Sequence, residues 1–470
     1  MSIDPNLGAS IAVTRFGLGA RPGEIDAARP DPRGYLKAQV RASGADQPAG
    51  TFETSAKHFV EVREYQIERR QDRKAGVDPV QDALRQIRAT AQPEFLARAQ
   101  LAAQTDASFR ERWTLFWCNH FTVASKNLQT AVLVGPFERE AIRPHVFGRF
   151  EDLLAASTMH PGMLLYLDQA QSVGPNSPIM SMRGPGLGKL GQSGLNENLA
   201  REILELHTLG VGSGYTQADV TEFARALTGW GVQGPNAGQY GGRFASAGEP
   251  GQFTFRAMLH EPGARHIFGK SYNQDGIAQA GAVLHDIAGS PATAHHLATK
   301  IARHFVADDP PPALVARLER VYLQSDGRLD LVANALIDAP EAWAPQQAKF
   351  KTPYEFLISG YRAIGAAPQD FTKFGPVLTG LGQQPFNAPS PKGWAEDAQT
   401  WAAPDAIVKR MSWSEAFSQV AAPVVGQPTQ IAENSLGAQL TPPVALAIAR
   451  AESRPEALSI LLMSPEFQRR

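Results

Sequence analysis

One cysteine, Cys118, stands in 470 residues. That scarcity excludes an intramolecular disulfide framework, a cysteine-based zinc finger and a cysteine-ligated iron–sulfur cluster. Charge of one sign is missing too: 45 Lys plus Arg face 46 Asp plus Glu, a formal net charge of −1. The chain therefore presents no global field for a polyanion, and nucleic-acid binding has no support. No stretch approaches the roughly 20 uninterrupted apolar residues that span a bilayer. The first nineteen residues carry Asp4, Pro5, Arg15 and several glycines, without a basic segment followed by an apolar one. Read from the chain alone, this is a cytoplasmic protein with no membrane span. Walker A, His-Glu-x-x-His, Gly-x-Ser-x-Gly and Cys-x-x-Cys-His motifs are absent as well.

What is present is the composition of a folded globular protein, 43 % hydrophobic and 19 % charged. Most of it reads as helix. Residues 52–75 are dense in charge and suggest an exposed amphipathic helix. The stretch from Asp82 to Leu128 spaces Leu84, Ile87, Phe95, Leu101, Phe109, Trp113, Phe116 and Trp117 helically. A further helix covers about 148–158. Residues 171–194 and 231–250 read as long loops, rich in Gly, Pro and Ser. Between them, Asn196 is a candidate N-cap and Gly210 a terminator, and Thr216 with Asp219 forms a capping-box-like start to a helix that stops at Gly229. Alternating Phe253 and Phe255, the turn at Glu261-Pro262-Gly263, and His266-Ile267-Phe268 suggest a β-hairpin of about 252–259 and 265–271. Helices resume at about 276–306 and 312–363, broken by Pro310-Pro311-Pro312. A loop-rich segment covers 364–404, and two or three helices end the chain. The expected fold is mainly α: one large multi-helical domain with one small β-hairpin (about 252–271). Its parts are an N-terminal arm 1–50, a helical core 51–363, and a loop-rich segment with a C-terminal helical subdomain, 364–470.

Several constellations could carry chemistry. Gly186-Leu187-Gly188-Lys189-Leu190-Gly191 matches Gly-x-Gly-x-x-Gly, but no strand precedes it, so a rim loop fits better than a nucleotide site. On the helix from Glu197 to Leu209, Glu197, Arg201 and Glu205 stack along one face, with Asn198 and Glu202 beside them. Two readings stay open there. One is a solvated face of ion pairs. The other is a cleft wall in which Arg201 holds one carboxylate ionised while another is raised into a general acid. His207 falls in the apolar sector and, taken alone, reads as a core histidine. Asn119 and His120 end a run of aromatics and must find hydrogen-bond partners, as structural ties or as site residues. His160-Pro161 and Asp168 flank a short helix. His296, Lys300 and His304 share a helical face but lack the carboxylate that a metal site needs. His260, at the hairpin turn, is placed to reach a neighbouring surface.

These strings resemble one large bacterial family. Arg15-Phe16-Gly17-Leu18-Gly19, Trp117-Cys118-Asn119-His120-Phe121, His160-Pro161-Gly162-Met163 and Leu195-Asn196-Glu197-Asn198-Leu199-Ala200-Arg201-Glu202 carry the likeness. So do Leu204-Glu205-Leu206-His207-Thr208-Leu209-Gly210, Gly214-Tyr215-Thr216-Gln217, Leu227-Thr228-Gly229-Trp230, the segment around His260, and Lys392-Gly393-Trp394. The chain is similar, nearly end to end, to the bacterial domain of unknown function numbered 1800. The resemblance implies a mostly helical single unit. It also implies a frequent neighbour protein with an alkaline-phosphatase-like or sulfatase-like fold, often exported by the twin-arginine route. Periplasmic location by co-export with such a partner is thus the alternative to a cytoplasmic one. It further implies a functional cleft of Asn119, His120, Asp168, Asn196, Glu197, Arg201 and His207.

The leading expectation is a hydrolase or lyase acting on a polymeric or glycan-like substrate by carboxylate chemistry. Glu197 would be the general acid or base, Arg201 would tune it, and His207 and Asp168 would complete the catalytic set. Asn119, His120, Asn196 and Trp394 would bind substrate, the tryptophan by stacking on a sugar ring. A metal-assisted version would place a divalent transition metal on His120, His207 and Glu197 or Asp168. The competing expectation is a non-catalytic binding or export partner of the phosphatase-like or sulfatase-like neighbour.

Overall fold

The computed structural model describes residues 3–75, 89–181, 194–234 and 249–470. The loop carrying Gly186–Gly191 and most of the 231–250 loop lie outside the described residues. The protein is mainly α, with two small antiparallel strand pairs among the described residues. Among the described residues, no helix is long and apolar enough to cross a membrane.

Two apolar cores organise the helices. The first gathers Ile11, Val13 and Phe16 of the N-terminal segment, the aromatics of helix Ser108–His120, and the buried faces of Phe150–Met159, Gln217–Leu227, Ile277–Ala288, Pro291–Phe305 and Pro312–Gln324. The second joins Ala91–Gln104, Pro353–Ala363 and Phe371–Gly380 to the C-terminal helices. Helix Ser108–His120 stands between them, because its residues at three- and four-residue spacing share one face while Leu115 lies on another. Phe109, Trp113, Phe116 and Trp117 enter the first core, and Leu115 packs on the second. Trp113 lies parallel to Phe147 with ring centroids 6.1 Å apart, and its indole N–H donates to the Val146 carbonyl at 2.7 Å.

Local chemistry sets the element ends. Thr216 and Asp219 form the reciprocal capping box of Gln217–Leu227, and Thr352 with Glu355 does the same for Pro353–Ala363. The C-terminal region holds more helices than the two or three expected: Pro404–Ala421, Pro428–Leu436, Pro442–Ala449 and Arg454–Met463, plus the short Pro465–Gln468. Proline in the first turn starts each, since its missing N–H would have no partner there anyway. Helix Phe371–Gly380 also occupies the segment expected to be loop-rich.

The single hairpin expected at 252–271 is corrected. β1 (Trp230–Val232) pairs with β2 (Phe253–Phe255), and β3 (Arg265–Ile267) pairs with β4 (Lys270–Tyr272). A short 3-10 turn, Ala257–Leu259, interrupts the chain after β2 and turns it away from β3. β3 instead folds back at once through Phe268 and Gly269, both at positive φ, 53° and 73°, the left-handed pair that a tight two-residue hairpin requires.

Helix Glu197–Leu209 is also not a plain α-helix. It is α over Asn198–Glu202 and then widens into a π-turn, Ile203–His207. The Thr208 hydroxyl donates to the Ile203 carbonyl at 2.6 Å, closing the wide turn, and Gly210 follows at φ 87°. Glu197, rather than Asn196, holds the cap position, although the Asn196 side chain still accepts from the Asn198 N–H at 2.9 Å.

Candidate functional site

The residues expected in one cleft separate into three groups. The first lines an open cleft of about 640 Å³, formed by Asp168, Asn196, Glu197 and Asn198. Here the structure does bring expected residues together. Glu197 accepts from the Thr221 hydroxyl at 2.6 Å, from the Gln217 amide at 2.8 Å and from Arg201 at 3.2 Å. Those donors, Thr221 foremost, hold its carboxyl below the ordinary value. Arg201 also reaches Glu205 at 3.6 Å. Asp168 sits at φ 57°, and its carbonyl accepts from the Asn196 amide at 3.0 Å. A raised carboxylate exists on the same helix, but it is Glu202. Burial and the neighbouring Glu205 raise it, and its charge is felt by Tyr166, away from the Glu197 cleft. Glu197 is therefore held toward its ionised form.

The second group is a buried histidine cluster. His207 is 1 % exposed, and neither of its ring nitrogens has a partner among the described residues. The His120 ring lies 6.1 Å from His207 and 6.4 Å from His296; its Nε2 meets the His207 carbonyl at 3.1 Å. The His296 Nε2 meets the Leu206 carbonyl at 3.2 Å. Burial, reinforced by Lys300, pushes His207 down to about 3 and His296 to about 4, so these rings are neutral at physiological pH. His120 and His207 thus share neither a side-chain carboxylate nor a cleft with Glu197 and Asp168. Among the described residues, no group of three His, Cys, Asp or Glu side chains is placed to hold a metal ion.

The third group lines a half-open cavity of about 100 Å³ between the two cores. Asn119 and Trp394 line it, joined reciprocally: the Trp394 N–H donates to Asn119 Oδ1 at 2.7 Å, and the Asn119 amide donates to the Trp394 carbonyl at 3.1 Å. Gly393 explains why the Lys392-Gly393-Trp394 string has a glycine. Its φ is 84°, and a Cβ there would stand 2.5 Å from the Asn119 carbonyl.

Sequence reasoning left out the charged groups that share this cavity. His304 Nδ1 meets Glu396 Oε1 at 2.6 Å, while His304 Nε2 has no partner among the described residues. Burial pushes His304 down to about 4; the charges of His304, Lys349 and Lys300 hold Glu396 at about 2 despite its burial. The imidazole is thus neutral and the carboxylate ionised. Arg112 donates to Glu355 at 2.6 Å, and Arg470 donates to the same oxygen at 3.0 Å. Arg98 pairs with Glu138 at 2.7 Å and lies over the Tyr354 ring at 5.0 Å. Tyr354 is 4 % exposed, its hydroxyl has no partner, and burial pushes that phenol up. Cys118 lines the cavity too, with its thiol raised by burial and so unreactive as a thiolate. The one sequence signal was His304 on a shared face with His296 and Lys300; no local spacing pairs residue 304 with residue 396.

Other singled-out histidines are structural ties. His160 caps its helix by accepting from the Gly162 N–H at 3.0 Å and meets Glu140 at 3.1 Å. His260 does not reach a neighbouring surface: it is buried and bonds the Thr228 carbonyl at 2.9 Å. Arg15 of the first family-like string is buried and donates to the Ala342 carbonyl at 2.8 Å.

A search among curated proteins and a search among solved structures each found no match. The model of one protein family, described as Protein of unknown function (DUF1800), matches residues 11–469, and the chain belongs to that family.

Proposed function

We propose that the chain is a hydrolase or lyase acting on a small molecule in the cavity between its two cores, with His304 as general base. The observation that carries this reading is the His304–Glu396 pair. A carboxylate on Nδ1 fixes the tautomer with the proton on that nitrogen, which leaves the buried Nε2 lone pair without a partner among the described residues, on a side chain that lines the cavity. Glu396 orients the ring and steadies the imidazolium that forms on proton transfer, the part a carboxylate plays beside a catalytic histidine. Apolar walls keep the ring neutral at rest. The cavity's size favours a small substrate over a polymer, which would have to lie in the open Glu197 cleft.

The test is a panel of chromogenic small esters, amides, phosphate esters and glycosides, with wild type and His304→Asn. Asparagine can keep the hydrogen bond to Glu396 while removing Nε2. The acid limb of kcat/KM should lie near the His304 value of about 4, with a plateau at neutral pH. In His304→Asn, turnover should fall about 100-fold or more and the limb should vanish. Turnover that His304→Asn leaves intact removes the histidine from the mechanism.

A second reading keeps the Glu197 cleft as a docking face for the phosphatase-like or sulfatase-like neighbour. What favours it is that Glu197, Arg201 and Glu205 form an ion-paired ladder beside an open cleft, with Glu197 kept ionised.

A further inference from the structure

The buried polar atoms that line the cavity without partners define what would complement them. Arg112 is 1 % exposed; its two terminal nitrogens are used on Gly17 and Glu355, and its Nε has no acceptor. The Tyr354 hydroxyl is equally unpartnered, and so is the Nε of Arg98 beside it. Beside these donors, His304 Nε2 is an acceptor that also lacks a partner among the described residues. Donors in excess call for a ligand that brings lone pairs. Charge points the same way. Glu355 is shared by Arg112 and Arg470, while Lys300 faces Glu396 and Lys349 faces both Glu396 and its ion-pair partner Asp308. Between these polar groups the walls are apolar, from Phe95, Leu115, Leu378 and Phe386. A sugar ring would press hydroxyls against those walls unpaired, at a cost that an acyl chain avoids.

We infer that the cavity takes a small acyl compound, a carboxylic ester and the carboxylate it yields, with its carbonyl oxygen toward Tyr354 and Arg112. The inference rests on His304 as base and names the substrate class for it. Water gives its proton to His304 Nε2 as its oxygen bonds the acyl carbon. The negative charge that gathers on the carbonyl oxygen meets the Tyr354 and Arg112 donors. The carbon–oxygen bond to the alcohol then breaks, and the departing oxygen takes the proton from His304. Ester and water become acid and alcohol, with no other reactant. The charged groups around the base throughout are Glu396, Arg112, Glu355, Arg470, Lys300 and Lys349.

The experiment uses the full chain with three probes: butyrate for binding by calorimetry, and p-nitrophenyl butyrate and p-nitrophenyl β-glucoside for turnover. Wild type should bind butyrate and hydrolyse the ester. Tyr354→Phe should weaken butyrate binding about tenfold with a melting temperature that holds or rises, because the lost hydroxyl has no partner within the protein. His304→Asn should keep butyrate binding within about threefold and lose about 100-fold or more in ester hydrolysis. A Tyr354→Phe protein that binds butyrate as wild type does overturns the acyl site. His304-dependent turnover of the glucoside without butyrate binding overturns the acyl class and leaves the base standing. Butyrate binding with ester hydrolysis indifferent to His304 keeps the acyl site and removes the base. Neither binding nor turnover overturns both.

Discussion

Lys351 is 3 % exposed, with its ammonium 4.3 Å from the centre of the Phe467 ring. Burial pushes it from 10.5 down to about 7, with Arg470, Arg112 and Arg410 adding to the effect. The unfolded chain therefore holds a proton on this lysine between pH 7 and 10.5 that the folded chain has released. In that window the unfolded state binds more protons, so this group makes stability rise with pH. Lys351→Met should raise stability at pH 7 by about 1–3 kcal/mol and flatten the rise toward pH 10, as read by urea denaturation at several pH values. A variant that is destabilised at pH 7 would mean that the contact with Phe467 outweighs the cost of burial. His304 follows the same logic at lower pH. Its depressed value adds stability above its ordinary value of 6.5 that is lost as pH falls toward about 4, below the working range proposed for it as a base.

Elements that depend on neighbours three or four residues away were legible. The capping box at Thr216 and Asp219, the short helix after His160-Pro161 and the break at Pro310–Pro312 are local, and each formed where its residues said it would. Strand pairing was not legible, because Phe253–Phe255 finds Trp230–Val232 across a loop whose length no local pattern encodes. The π-turn at Ile203–His207 was hidden as well, since one added residue in a single turn leaves the apolar spacing almost unchanged, with His207 in the apolar sector either way. Glu197 belongs to this scale, because its bonds to Gln217 and Thr221 tie one helix start to the next helix. Glu197→Gln keeps an acceptor for both but drops the charge beside Arg201, so stability should fall by less than about 1 kcal/mol. If the cleft docks the phosphatase-like neighbour, affinity for the purified neighbour should fall several-fold; unchanged affinity removes this face from the partner reading.

Across the whole molecule, buried arginines join parts that are far apart in the chain. Arg362 donates to the Gly19 carbonyl at 2.7 Å, to the Ala102 carbonyl at 2.9 Å and to Glu24 at 2.7 Å. Arg112, Glu355 and Arg470 do the same around the cavity. Arg362→Met leaves Glu24 without its guanidinium in a buried site and should cost about 3–5 kcal/mol, with the thermal transition shifted down. A shift of only a degree or two would mean that these ties are dispensable. Composition and periodicity by themselves determined that this chain is mainly helical, where many of its helices begin, and that its charges nearly balance. Those properties are set by near neighbours and by bulk solvation. Only the tertiary structure decided that Asn119 and Trp394 share a wall with His304 and Glu396, while Glu197 stays at the surface and His207 is sealed. Residues 304 and 396 meet because two apolar cores close around helix Ser108–His120, and burial then makes an ordinary histidine a neutral one with a free lone pair.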